Sequence, residues 1–101
     1  MKVEFSKAFI KASKRLSDKM LDSLRHTIEE VKAAKDIQDI TDCKKLVGYR
    51  NIYRIRLGDY RALFTLEIEF FGNTIFFQYL SPRGEAYGKK MKTDLKRIDK
   101  E

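Results

Sequence analysis

The chain has 101 residues, 43% of them hydrophobic and 37% charged, with 22 Lys and Arg against 15 Asp and Glu for a formal charge of +7. That length suits one domain spanning 1–101 whose core buries roughly two-thirds of the unfolded surface, and the apolar content excludes disorder as the default. The charge favours phosphate backbones or acidic proteins as partners, while Cys43, the only cysteine, excludes an internal disulfide and metal sites built on paired thiols.

The N-terminus, Met1-Lys2-Val3-Glu4-Phe5, lacks the apolar run of a secretory signal, and nowhere do the roughly 18 consecutive apolar residues of a membrane span occur. A cytoplasmic protein with no membrane partner is expected. Lys2 to Phe5 alternates polar and apolar residues and predicts a short strand at a sheet edge. Ser6 is placed to cap a first helix, along which Phe5, Phe9, Ala12 and Leu16 recur at steps of four, three and four. Ser17 is placed to cap a second, with Leu21, Leu24, Ile28 and Val31 as its apolar stripe. The two helices should form a hairpin. Asp36 to Lys45 has no clean period and reads as a connection back to the sheet.

From Lys45 the period changes to two. Tyr53, Ile55 and Leu57 fall on one face of a strand and Ile52, Arg54 and Arg56 on the other. Gly58-Asp59 supplies a short turn, and Tyr60 to Phe70 resumes the alternation through Ala62, Phe64, Leu66 and Ile68. A second two-residue turn at Gly72-Asn73 would set Phe64, Leu66, Ile68 and Phe70 opposite Ser81, Tyr79, Phe77 and Ile75, an apolar face that meets the helices. Pro82 marks the end of that third long strand, because it cannot donate to a ladder. Gly84 to Lys100 has weak helical patterning and is strongly basic. The expected fold is α+β: a helical hairpin packed on a small, mainly antiparallel sheet of about four strands, followed by a short C-terminal helix.

The block Tyr53-Arg54-Ile55-Arg56-Leu57-Gly58-Asp59-Tyr60-Arg61 carries the most chemical information. With Leu57 and Tyr60 flanking the turn, Arg56 falls across from Arg61, and the period of two adds Arg54 to the same face. Like charges set opposite each other destabilise a sheet by up to about 1 kcal/mol per pair. An anion between them relieves that repulsion. The guanidinium fork suits bidentate contact with phosphate and stabilisation of charge developing there. The competing reading is a solvated outer strand face. Arg83 and Tyr87, four residues apart, could lean towards the cluster if Pro82 breaks the strand's register, since strict alternation would put Arg83 on the helical side. Tyr87 has the chemistry to stack on a base.

At these residues the sequence resembles the RelE/ParE family of toxins from type II toxin–antitoxin systems, along nearly the whole chain. The resemblance rests on the Lys45-Leu46-Val47-Gly48-Tyr49-Arg50 stretch, the Tyr53 to Arg61 block and the Arg83 to Tyr87 motif. It implies a ribosome-dependent messenger ribonuclease that needs no metal and no cofactor. A ribose 2′-OH would attack the adjacent phosphate, with Arg56, Arg61, Arg83 and Tyr87 as catalytic residues and Arg54, Arg50, Lys89, Lys90 and Lys92 holding RNA. It also implies a cognate antitoxin, an acidic and partly disordered segment that would match the +7 charge. Two departures stand out. Relatives often carry Lys on the second strand where this chain has Arg54 and Arg56, and His before the terminal Arg where this chain has Pro82. That leaves the general base unassigned, and His26, the only histidine, sits in the charged part of helix two and reads as a surface residue. Cys43 reads as an apolar filler. The alternatives are a ParE-like inhibitor of DNA gyrase and a non-catalytic RNA-binding protein or inactive toxin remnant.

Overall fold

The structure, a computed structural model, describes residues 1–82 and 89–100. Strand β1 (Lys2–Phe5) leads into helices α1 (Lys7–Ser13) and α2 (Asp18–Ala33). A 3₁₀ turn at Ile37–Asp39 follows, then strands β2 (Cys43–Lys45), β3 (Ile52–Leu57), β4 (Tyr60–Glu67) and β5 (Thr74–Pro82), and helix α3 (Lys89–Lys100). Both predicted caps form. Ser6 Oγ accepts from the Phe9 amide at 3.0 Å and Ser17 Oγ from the Met20 amide at 3.2 Å, each satisfying a donor that a helix start leaves unpaired.

The sheet has five strands in the order β1-β5-β4-β3-β2, all antiparallel neighbours except β1, which runs parallel to β5. The additional strand is β2, formed within the stretch that the sequence presented as a connection. It pairs Cys43 with Ile55 and Lys44 with Arg54. The segment leading to it is tied to α2 through Glu30, whose carboxylate accepts from the Thr41 amide at 3.0 Å and from the Thr41 hydroxyl at 2.9 Å.

The β4–β5 register differs from the expectation. Phe64 pairs with Phe77 and Leu66 with Ile75, and β4 ends at Glu67 opposite Thr74. The connection is a six-residue loop rather than a turn at Gly72-Asn73. Glu69 closes it, accepting from the Gly72 amide at its carbonyl and from the Thr74 hydroxyl at its carboxylate. Ile68, Phe70 and Phe71, expected in part on the core face, are therefore exposed at 81%, 95% and 96%. Further along, Leu63 pairs with Tyr79 while Phe64 pairs with Phe77, so Gln78 is an extra residue, a β-bulge that reverses the phase of β5.

The core lies on both faces of the sheet. On one, Phe9, Leu24 and Val31 of the helical hairpin pack on Ile55, Leu57, Phe64, Ile75 and Phe77. Phe77 is central there, with ring centroids of Phe5, Phe9 and Phe64 at 5.5, 5.1 and 5.7 Å. On the opposite face Ile52 and Leu63 are sealed by Leu95 of α3, with Met91 and Ile98 beside it. The C-terminal helix is thus a lid over half of the second face. It is held by Asp99, whose carboxylate accepts from the Arg50 and Asn51 amides at 2.7 and 2.6 Å, and by the Tyr79 hydroxyl, which donates to Asp94 at 2.8 Å.

Candidate nucleic-acid interface

The half of the second face that α3 leaves uncovered is cationic. Residues paired directly across neighbouring strands share a face, and steps of two along a strand preserve it. Ile52 and Leu63 lie under α3, and Arg54 is Leu63's partner. Arg56, two further on, pairs with Arg61, as the sequence predicts, because the Gly58-Asp59 loop has two residues and Gly58 takes the positive φ of +55° that it needs. Arg54, Arg56 and Arg61 therefore share one face of adjoining strands. No carboxylate among the described residues pairs with any of them.

Their environments differ. Arg56 is exposed and Arg61 is half-buried. Arg61 Nε is fully enclosed and has no hydrogen-bond partner among the described residues, a state that native structures rarely leave without a reason. Arg54 is half-buried and donates from Nη1 to the Asp42 carbonyl at 3.4 Å. Asp42 itself holds a left-handed φ of 54° and lines a cleft beside β2 and β3. This cleft, of about 320 Å³, is lined by Ile40, Asp42, Cys43, Lys44, Arg54 and Arg56.

The remaining predicted residues divide. The Arg50 guanidinium reaches the Asp99 carbonyl at 3.4 Å and its amide the Asp99 carboxylate, so this arginine docks α3 instead of joining the patch. Lys90 and Lys92 are exposed on α3, the former beside Tyr79 and the latter with Lys96 and Arg97. Arg83, Tyr87 and the side chain of Lys89 lie outside the described residues. The residue that sequence reading missed is Lys44. Cys43 pairs with core residue Ile55 and Lys45 lies 6.0 Å over the Tyr53 ring on the helical side, so Lys44, opposite Arg54, belongs to the cationic face. A three-residue strand holds too few periods to announce itself.

Two groups near the patch have raised pKa values, which keeps their protons on. Burial pushes the Cys43 thiol up to about 11, against a smaller opposing effect of Arg54. Burial, then the hydrogen bond and charge of Asp94, raise Tyr79. Neither is available as a base at neutral pH. His26 is exposed on α2, behind the other face of the sheet. Among the described residues, no three His, Cys, Asp or Glu side chains gather to hold a metal, and no helix is long and apolar enough to cross a membrane. The patch can bind and neutralise a phosphodiester through fixed positive charge.

No protein-family model matches the chain. It is 38% identical over 88 residues to Toxin RelE3 of Methanocaldococcus jannaschii, covering 86% of this chain and 96% of that protein. Its fold matches the chain in the RelB–RelE antitoxin–toxin complex of Methanococcus jannaschii with a TM-score of 0.65 and 29% identity, over 78% of this chain and 88% of that one. The archaeal RelE–RelB complex of Pyrococcus horikoshii matches with a TM-score of 0.67 and 26% identity, over 84% and 97%. A relative this similar over nearly its full length, with the same fold in two solved structures, decides the matter: the chain belongs to the RelE family of toxins from toxin–antitoxin systems.

Proposed function

We propose that this toxin halts translation in the cytoplasm by ribosome-dependent cleavage of messenger RNA, with the Arg56–Arg61 pair at the scissile phosphate. The observation that carries the reading is that these two arginines are paired across adjacent strands with no carboxylate partner among the described residues. Such a pair opposes folding and is relieved by an anion. A ribose 2′-OH attacks the neighbouring phosphorus, the bond to the 5′-oxygen breaks, and a 2′,3′-cyclic phosphate and a free 5′-OH result. The dianionic transition state carries more charge than the ground state, and fixed guanidinia favour the former. By family resemblance Arg83 adds a further phosphate contact and Tyr87 stacks on a base.

Cys43 and Tyr79 hold their protons, so neither takes the proton of the attacking hydroxyl. General acid–base help typically supplies about 10²–10⁴-fold, and a ribosomal group that supplied it would make free RNA the poorer substrate. The two archaeal relatives of known structure are in complexes with RelB antitoxins. An acidic cognate antitoxin is the corresponding partner of this +7 chain.

The test is induction of the wild type beside Arg61→Ala and Tyr87→Phe, with primer extension on a reporter message and leucine and thymidine incorporation followed in parallel. Cut sites and a leucine block are expected for the wild type, with cleavage by Arg61→Ala reduced about 10²–10³-fold, as for loss of one transition-state donor. A thymidine block with messages intact would point to a replication target and overturn the reading.

A further inference from the structure

We propose that Lys44 and Arg54 form a second phosphate subsite, one step along the RNA from the Arg56–Arg61 pair, so that the patch takes two consecutive phosphodiesters. This deepens the RNA-cleaving reading and rests on it. The four cations form two cross-strand pairs staggered over three strands: Lys44 on β2 is opposite Arg54 on β3, and Arg56 on β3 is opposite Arg61 on β4, so the second pair is also displaced sideways by one strand spacing of about 4.8 Å. Along β3 the two pairs are separated by two residues, roughly 7 Å. That step suits successive phosphates of an extended single strand.

The geometry of the cleft supports the assignment. Three basic residues, Lys44, Arg54 and Arg56, and one acidic residue, Asp42, are among those that line it. The Asp42 carbonyl takes one Arg54 hydrogen at 3.4 Å and fixes the fork on its strand, leaving its other N–H groups for a ligand. Lys44 has no ion-pair partner among the described residues. Its ammonium is a point charge on a flexible stem that can follow a phosphate the rigid forks do not reach. Like the pair at the turn, this row is held at a cost that an anion removes.

The experiment is an NMR titration of the wild type and Lys44→Ala with two 2′-O-methyl uridine oligomers, a dinucleotide with one phosphodiester and a trinucleotide with two. The wild type should bind the trinucleotide about five- to tenfold more tightly than the dinucleotide. Lys44→Ala should prefer it by no more than about twofold, the statistical advantage of an extra site. On a longer oligouridylate, Lys44→Ala should lower the slope of log affinity against log salt by about 0.7, the loss of one neutralised phosphate on a single strand. Lys19→Ala, on α2 behind the opposite face, should match the wild type. If Lys44→Ala keeps the trinucleotide preference while Arg61→Ala weakens binding to both oligomers, the second subsite is refuted and the cleavage reading stands. If the wild type binds none of the oligomers, both fall.

Discussion

Replacing Arg61 by methionine should stabilise the protein while removing its activity. The substitution keeps an unbranched apolar stem of similar reach and deletes two liabilities. One is repulsion from Arg56, its direct cross-strand partner, worth up to about 1 kcal/mol for like charges so placed. It is discounted here because Arg56 is exposed and salt screens the pair. The other is the enclosed Nε, which has no hydrogen-bond partner among the described residues. A buried unsatisfied donor costs about 1–3 kcal/mol, again less here because Arg61 is only half-buried. Against these stands some lost contact along the stem. A net gain of about 1 kcal/mol follows, or roughly 4–8 °C in Tm for a chain of this size. Thermal unfolding by circular dichroism at low and high salt is the assay, and the gain should shrink as salt rises. A variant destabilised by more than about 1 kcal/mol at low salt would show that Arg61 is held by the fold for its own sake, and the anion-site reasoning would fail.

Two further perturbations probe the lid. Leu95 is fully buried against Ile52 and Leu63, so Leu95→Ala should cost about 2–5 kcal/mol, read as a lower midpoint of urea unfolding; a cost under about 1 kcal/mol would mean that α3 is not docked as described. For Asp99, burial pushes the carboxyl up but is outweighed by the Arg50 and Asn51 amides and by the charges of Arg50 and Lys96, which together hold it below its ordinary value. Its stabilising contribution is then complete above about pH 4 and lost as the pH falls through the lowered folded-state value. Asp99→Asn should accordingly unfold earlier than the wild type at neutral pH and converge with it in acid, and a gap that persists in acid would contradict this.

How much of this was legible in the sequence depends on how many periods each element offers. Ser6 and Ser17 announced two helix starts because capping is a local interaction, complete within four residues. The convergence of Arg54, Arg56 and Arg61 was legible because a two-residue loop with Gly58 at positive φ admits one register. The same reasoning failed at the next hairpin. Alternation continues in sequence through Ile68 and Phe70, but β3 has already given way to Asn51, which instead donates its side-chain amide to the Leu66 carbonyl at 2.8 Å. With β3 no longer beside it, β4 stops at Glu67, and Ile68, Phe70 and Phe71 beyond its end are exposed. The extra residue Gln78 is a tertiary adjustment with no local signature, and it restores Ser81 to the face of Arg61.

The division of the second sheet face explains how a row of opposed cations is tolerated at all. Along β3, Ile52, Arg54 and Arg56 are consecutive members of one face, yet the first is sealed by Leu95 and the other two are left to solvent and to the cleft. The helix thus ends its cover where the charges begin, tied there by Asp99 to the loop preceding β3 and by Asp94 to Tyr79. Stability is concentrated behind the arginines, in the Phe9–Phe64–Phe77 stack of the helical side, where burial of large rings outweighs a cross-strand repulsion of about 1 kcal/mol. Because β3 and β4 are paired and backed by that stack, the backbone positions of Arg56 and Arg61 are set opposite each other by the fold itself, as the proposed phosphate site requires. Electrostatic stabilisation needs this preorganisation, since charges that must be gathered during the reaction spend part of their effect on the gathering.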